Sequence, residues 1–342
     1  MIAGGLKVRR PGLHTTVQDL GRLGFQALGV PVSGALDTTA LRLGNALAGN
    51  PATAAALEIL ASGPTLEVAA DTVRVALAGA GASLELADAR VVPSWHSVKF
   101  ARGDVFEIRV GRESICAYLA IEGGIAVPLV LGSASAYTRA ALGGLHGRAL
   151  QRGDVLPLTL AVASEGKERR LPSPPPAGCD RPIRVVLGPQ HECFTDAAIA
   201  ALLDAEFRIS KNADRMGMRL DGPPLRHRAG WDIVSDAIAT GAIQVPGSGQ
   251  PILLLADHQT TGGYPKIATV VSADLPLVAR RRTGDAIRFA AVTVEEAEHL
   301  AREAEACLLK QLGSIALVGC ASDIDLTALY ANNLISGVVT AK

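Results

Sequence analysis

Apolar and polar residues alternate along much of this chain, which is the pattern of half-buried β-strands. Between positions 57 and 160 the alternating runs recur at roughly ten-residue spacing, and Gly, Pro and Asp turns separate them. Such a rhythm is typical of a barrel or a sandwich. The runs that we predict as strands in this part span residues 65–68, 73–77, 83–86, 105–110 and 117–121.

Helical spacing of apolar residues occurs in two longer stretches. The apolar residues at positions 36, 40, 43 and 47 predict a helix that Ser33 or Asp37 can cap. A proline at position 51 suits the first turn of a second, short helix over 52–56. Near the C-terminus, a capping-box pattern opens a helix over 293–312, and Gly313 can end that helix.

A charged run followed by several prolines divides the chain between residues 163 and 179. Charge followed by proline is typical of a solvated, semi-rigid linker. We therefore expect an N-terminal β domain over 1–165, a C-terminal β domain over 180–292, and a C-terminal helix with a tail over 293–342. The predicted fold class is mainly β with some α. The tail contains apolar runs at 315–318 and 334–339 and is expected to form strand or coil.

The composition narrows the class of protein. Lys plus Arg and Asp plus Glu both number 33, so bulk charge favours neither nucleic acid nor an anionic membrane as a partner. The five cysteines are odd in number and contain no CxxC pair, so we expect neither a disulfide framework nor a metal site. No stretch approaches the ~20 apolar residues of a membrane span, so a cytoplasmic protein is expected.

The densest group of functional side chains is the loop 257–266, which lies between apolar runs at 252–256 and 267–271. A polar, glycine-hinged loop between two buried strands can display groups to a ligand, and glycine lets that ligand approach the backbone. The alternative is an ordinary connection rich in turn formers. We favour substrate binding, and Lys266 could neutralise an anion. The candidate binding residues are Asp257, Gln259, Thr260, Thr261, Gly262, Gly263 and Tyr264.

Two other groups of residues carry possible chemistry. Arg215 and Arg219 flank a glycine on the polar side of a predicted strand, and a guanidinium is suited to clamp a carboxylate or a phosphate. The alternative is a pair of surface arginines. Gln18, Asp19 and Arg22 lie in a segment, 13–37, with little periodicity. We expect these three to support binding or structure rather than catalysis.

Three segments together resemble one known family. They are PGLHTTVQDLGRLGFQALGVPVSGALD at 11–37, DRMGMRLDGP at 214–223 and GAIQVPGSGQPILLLADHQTTGGYPKI at 241–267. They are similar to allophanate hydrolase subunit 2, also named KipA or the C subunit of 5-oxoprolinase, and to one half of the carboxyltransferase domain of urea carboxylase. The resemblance runs from about residue 6 to about residue 292.

The resemblance implies a fold of two cyclophilin-like β-barrel domains and a partner, the KipI-like subunit 1, which is the B subunit of 5-oxoprolinase. It leaves three functions open. The first, which we prefer, is the C subunit of an ATP-dependent 5-oxoprolinase, with Arg215 and Lys266 as catalytic cations and a small amide or lactam as substrate. The second is a carboxyltransferase component that moves a carboxyl group from biotin to urea or a related amide. The third is a non-catalytic regulatory protein.

Missing motifs refine these expectations. The sequence contains no P-loop and no nucleophile elbow. No lysine lies in a biotin-acceptor sequence, so no covalent biotin is expected on this chain. ATP is therefore expected in a complex rather than in a P-loop of this chain. We predict that the chain is inactive alone and works with the KipI-like protein. In the preferred function it also works with a LamB/YcsF-like protein, which is the A subunit of that enzyme.

Overall fold

The computed structural model describes residues 4–176, 178 and 180–318. We call residues 4–170 the N-terminal half and residues 183–291 the C-terminal half. The N-terminal half contains one long helix and twelve of the strands that the structure describes. They are β1 (Gly5–Arg10), β2 (His14–Gln18), α1 (Thr38–Ala48), β3 (Ala56–Leu60), β4 (Thr65–Val68), β5 (Thr72–Ala78), β6 (Ser83–Leu86), β7 (Val91–Pro93), β8 (His96–Ala101), β9 (Val105–Arg109), β10 (Cys116–Ile121), β11 (Val155–Pro157) and β12 (Arg169–Arg170).

Two sheets enclose the core of the N-terminal half. The first sheet has the strand order β11-β1-β4-β9-β6-β7. The strand order of the second sheet begins β2-β3-β10-β5-β8-β12. Aliphatic side chains from both sheets, such as Leu66 of β4 and Leu119 of β10, form one buried cluster. Strand β10 is buried along its whole length because α1 covers its other face. Its continuous apolar pattern is therefore that of a strand buried on both sides.

The C-terminal half is built on one eight-stranded sheet. Its strand order is β21-β14-β15-β18-β17-β20-β13-β22, and only the pair of β13 with β22 is parallel. A separate two-stranded ribbon joins β16 to β19. The elements are β13 (Ile183–Leu187), α2 (Asp196–Asp204), β14 (Phe207–Ala213), β15 (Gly217–Asp221), β16 (Asp236–Ala237), β17 (Ala242–Gln244), β18 (Ile252–Leu254), β19 (Thr261–Gly262), β20 (Lys266–Val270), α3 (Leu275–Ala279), β21 (Ala286–Ile287) and β22 (Phe289–Ala291).

The C-terminal helix α4 (Val294–Gly313) packs against β13 of the C-terminal half and against α1 of the N-terminal half. Its capping box is present, since Thr293 accepts from the Glu296 backbone and Glu296 accepts from the Thr293 backbone. Leu308 of α4 is buried in the same apolar cluster as α1. The chain then forms the short strand β23 (Ala316–Leu317), which pairs with β12. The predicted run at 334–339, together with Cys179 and Cys320, lies outside the described residues.

The predicted fold class, mainly β with some α in barrel-like domains, is confirmed. The domain boundaries 1–165, 180–292 and 293–342 stay a prediction. Two local predictions were wrong. Residues 52–56 form no helix, because the Asn45 amide donates to the main-chain oxygens at Ala52 and Ala54 and leads the chain into β3. The segment predicted as irregular begins with a strand, β2, which pairs along its whole length with β3.

Candidate functional site

The two halves meet where the segment 19–37 of the N-terminal half crosses the end of β18. Ser33 donates its backbone N–H to the oxygen of Ala256 at 3.1 Å, which ties this segment to the C-terminal half. Leu36 packs against the apolar core of the C-terminal half. The segment lacks periodicity because these contacts, rather than a helix or strand ladder, hold it in place.

Arg215 forms a buried ionic link across the junction. Its side chain is 5% exposed, and it donates two hydrogen bonds to Asp257, at 2.8 and 3.0 Å. It also donates to the carboxylate of Glu58 and, at 2.7 Å, to the main-chain oxygen of Gly34, both in the N-terminal half. Burial alone would lower the pKa of Arg215, but Glu58 and Asp257 outweigh burial and raise it. These contacts satisfy the buried guanidinium of Arg215, so its burial requires no ligand.

The same network continues into the N-terminal half. The second oxygen of Glu58 accepts from the Tyr118 hydroxyl at 2.7 Å and from the Leu36 backbone at 2.9 Å. The Tyr118 oxygen in turn accepts from the backbone of Asp37, whose carboxylate caps α1 and pairs with Arg280 at 2.6 Å. Burial, with Glu58 nearby, raises the pKa of Tyr118 well above its usual value, so the hydroxyl keeps its proton. The network therefore runs unbroken from β18 to α1.

The loop 257–266 is held by a second ion pair. Lys266 is 1% exposed, and its ammonium donates to Asp236 at 2.8 Å and to the oxygen of Ala237 at 3.0 Å. The hydrogen bond from Lys266 lowers the pKa of Asp236. The pairing of β16 with β19 forms directly beside this contact. The loop is thus anchored at its last residue by a carboxylate from a neighbouring ribbon.

The loop residue Gln259 contacts a second glutamine, Gln244, at the end of β17. Gln259 donates to Gln244 Oε1 at 3.2 Å, and Gln244, which is 1% exposed, donates to the main-chain oxygen of Tyr264 at 3.4 Å. This orientation leaves the Gln259 oxygen without a hydrogen-bond donor among the described residues. The Tyr264 ring is partly exposed and lies 6.0 Å from the ring of Trp231, centre to centre.

Gln244, Gln259 and Tyr264 line a cavity of about 250 Å³, which we call the arginine cavity. Its charged members are Arg219 and Asp214 from the C-terminal half and Arg139 from the N-terminal half. Arg139 pairs with Asp214 at 3.3 Å. In the part of the chain that the structure describes, Arg219 has no carboxylate within salt-bridge distance. The cavity therefore offers one uncompensated guanidinium beside an open amide oxygen.

The predicted catalytic cations do not line the arginine cavity. Arg215 and Asp257 line an adjacent cavity of about 280 Å³ with His14, and Lys266 lines neither of these two cavities. Both cavities share the wall formed by Arg139, Asp214 and Met216. Burial, with Arg215 nearby, lowers the pKa of His14, so that imidazole is neutral near pH 7.

The other predicted binding residues are distributed along the loop. Gln259 and Tyr264 lie in the arginine cavity. Thr261 and Gly262 form β19, while the oxygens of Thr260 and Gly263 accept from the backbones at positions 238 and 233. The contacts of residues 260–263 are thus backbone hydrogen bonds, which fix the conformation of the loop.

Gln18, Asp19 and Arg22 lie together beneath the loop 130–136. Asp19 accepts from the hydroxyls of Ser133 and Ser135, at 2.6 and 2.5 Å, and from the backbone at 134. Gln18 donates to the oxygen at position 136, and Arg22 donates to the oxygens at 130 and 135. Arg22 is 1% exposed, and in the described residues it pairs with no carboxylate. These buried side chains therefore hold the start of the segment 19–37 against the loop 130–136.

Sequence reasoning missed Glu58, Gln244 and Arg139. For the first two a signal existed, because each is a single polar residue within an otherwise apolar strand, in ALEIL and AIQV. A buried polar side chain in such a strand must find a partner, which makes it informative. No comparable signal marks Arg139, which lies in a surface turn.

Residues 28–291 match the family model of the carboxyltransferase domain, subdomain A and B, and the chain belongs to this family. The family resemblance inferred from the sequence is confirmed. The chain is 39% identical over 296 residues to the C subunit of 5-oxoprolinase from Escherichia coli (strain K12), covering 85% of this chain and 93% of that protein.

Solved structures show the same fold. The crystal structure of TTHA0988 superimposes with a TM-score of 0.75 at 36% identity, over 84% of this chain. This chain spans 55% of that protein. The urea amidolyase of K. lactis superimposes with a TM-score of 0.80 at 28% identity, over 93% of this chain and 20% of the larger enzyme. Among the described residues, no helix is both long and apolar enough to cross a membrane.

Proposed function

We propose that this chain is the C subunit of an ATP-dependent 5-oxoprolinase, which opens the lactam ring of 5-oxoproline to give glutamate. The relative from Escherichia coli that matches most of the chain bears this name. The observation in the structure that carries the proposal is the arginine cavity. Its uncompensated Arg219 suits a substrate carboxylate, and the open oxygen of Gln259 suits the N–H of a lactam.

Arg215 and Lys266 stay the predicted catalytic cations. Both are buried close to the loop, and both are held by carboxylates, Asp257 and Asp236. Amide activation creates negative charge on the carbonyl oxygen, and preorganised cations stabilise such charge. To act directly, either cation would have to exchange its carboxylate partner for the reacting group. The alternative role for Arg215 is to position Asp257 and the loop that follows it.

The relative's name places it in an assembly of several subunits, and we propose the same for this chain. The proposed partners are a KipI-like protein as the B subunit, and a LamB/YcsF-like protein as the A subunit, all in the cytoplasm. The sequence contains no P-loop, so we propose that ATP binds in the assembled complex. The chain alone is then expected to be inactive, because the other subunits supply the rest of the site.

The test is ATP-dependent conversion of 5-oxoproline to glutamate by the three subunits together, and by this chain alone. Arg219→Gln should raise KM for 5-oxoproline about tenfold to hundredfold, because a charged hydrogen bond is lost. The matched control is Arg208→Gln, an exposed arginine on the neighbouring strand β14 whose partner is Glu206. An unchanged KM in Arg219→Gln would remove the observation on which the proposal rests.

The second candidate is transfer of a carboxyl group from biotin to urea or a related amide. The superposition on the urea amidolyase of K. lactis favours it. Carboxylation of urea by this chain in the presence of carboxybiotin, with no turnover of 5-oxoproline by the full assembly, would replace the first proposal with this one.

A further inference from the structure

Large apolar side chains are exposed in the segment 228–235, at the edge of the arginine cavity. Trp231 is 51% exposed and Val234 is 91% exposed. The Trp231 ring lies beside the ring of Tyr264, which lines the arginine cavity. We call the exposed side chains of Trp231, Asp232 and Val234 the tryptophan platform. Exposed apolar groups with polar neighbours are typical of a surface that another molecule covers.

The segment that carries the tryptophan platform is fixed although it is exposed. The backbone N–H of Ile233 donates to the oxygen of Gly263 at 2.9 Å, and the pairing of β16 with β19 follows directly. A Cβ atom on Gly247 would stand 2.9–3.2 Å from atoms of the Trp231 ring, so this glycine lets the indole lie against the turn. The platform is therefore preorganised, which lowers the entropy cost of binding.

The charge of the tryptophan platform is negative. Asp232 is exposed, and its carboxylate forms no ion pair with any residue that the structure describes. The basic residue Arg228, four positions earlier, is already paired with Asp196. An indole face attracts a cation, and a planar guanidinium can stack on the ring while it pairs with a carboxylate. Trp231 and Asp232 together thus suit an arginine side chain.

We propose that the KipI-like B subunit docks on the tryptophan platform through an arginine side chain that stacks on Trp231 and pairs with Asp232. The proposal rests on the proposed function, from which it takes the B subunit. Two observations favour this occupant. The platform adjoins the arginine cavity, which the other subunits are proposed to complete. TTHA0988 also contains further chain beside the shared fold, since this chain spans 55% of it.

The test exploits the fact that the chain has two tryptophans in opposite environments. Trp95 is 6% exposed and Trp231 is 51% exposed. The whole chain is labelled with 5-fluorotryptophan, and its ¹⁹F NMR spectrum is recorded as the unlabelled B subunit is added. Trp231→Phe assigns the two signals. The Trp231 signal should shift on binding, whereas the Trp95 signal should stay in place as an internal control.

Affinity for the B subunit, measured by calorimetry, identifies the contributing side chains. Trp231→Ala should weaken binding about tenfold to hundredfold, as for a tryptophan at the centre of an interface. Val234→Ser, at a position too exposed to affect folding, should weaken it about threefold. Asp232→Asn should weaken binding and make it less sensitive to added salt. Leu309→Ala on α4 and Asp204→Asn at the end of α2 are the matched exposed controls and should leave affinity unchanged.

The outcomes separate this inference from the proposed function. A Trp231 signal that stays in place while the B subunit binds and the assembly converts 5-oxoproline would overturn the inference and leave the proposed function intact. Equal affinities in Trp231→Ala and Leu309→Ala would do the same. Failure of the B subunit to bind the wild-type chain would overturn both. A Trp231 signal that shifts with the concentration of this chain alone would assign the platform to a second copy and also refute the inference.

Discussion

Replacement of Arg215 by methionine removes a buried ionic link between the two halves while keeping much of the side-chain volume. The change leaves two buried carboxylates with fewer partners. Glu58 keeps its hydrogen bonds from Tyr118 and from the Leu36 backbone. Asp257 loses both of the hydrogen bonds that its carboxylate accepts, and it is 4% exposed. Most of the cost should therefore arise at Asp257.

The size of the effect follows from the burial of the charges. Removal of one partner from a buried, hydrogen-bonded ion pair typically costs about 3–5 kcal/mol, since the remaining charge is left uncompensated. We expect a loss of about that size in the free energy of unfolding for Arg215→Met. Adding Asp257→Asn removes the stranded charge and should recover at least about 1 kcal/mol. Recovery by a second mutation distinguishes a stranded charge from simple loss of packing.

The assay is equilibrium unfolding in urea at pH 7. The matched control is Arg228→Met, which breaks the exposed pair with Asp196 and should change the unfolding free energy by less than about 0.5 kcal/mol. An Arg215→Met protein as stable as the control would refute the reasoning. A double variant that is less stable than Arg215→Met would show that Asp257 matters for reasons other than its charge.

Three further predictions follow from individual contacts. Thr293→Ala should lower the unfolding free energy by about 1 kcal/mol, measured by urea unfolding, because it removes the N-cap of α4. Lys266→Met should lower turnover by the assembled enzyme about tenfold or more, because it removes the cation. Asp236→Asn keeps the Lys266 ammonium and should leave turnover unchanged. Equal losses of turnover in both variants would show that Lys266 only anchors the loop. Burial lowers the pKa of His258, so the folded protein binds fewer protons than the unfolded chain. Stability should therefore fall as pH drops below about 6.5, less so in His258→Asn than in the exposed control His299→Asn, as thermal melts at several pH values would show.

The sequence pattern predicted the local elements well because alternation and capping are local signals. Strands β4 and β6 begin and end at the predicted residues, and the capping box at Thr293 is present. The prediction of a short helix at 52–56 was wrong because the Asn45 side chain donates hydrogen bonds to backbone oxygens of that stretch. Propensity carries no information about such a contact.

The candidate site was only partly predictable, for a physical reason. The loop 257–266 was recognisable from its polar composition, yet the contacts of Arg215 depend on Glu58, 157 positions away along the chain. An isolated arginine in a sequence does not reveal whether its partner is a ligand or another side chain. The hydrogen bond of His258 was likewise invisible, because only the folded loop brings its Nδ1 within 2.6 Å of the main-chain oxygen of Gln259.

The end of β18 shows how one short stretch can serve two different cavities. Leu254 lines the arginine cavity, and Asp257, three residues later, lines the adjacent cavity that contains His14. Since the Arg215 side chain donates two hydrogen bonds to Asp257, loosening that ion pair should disturb both cavities at once. Arg215→Met should therefore raise KM for 5-oxoproline, although Arg215 does not line the arginine cavity.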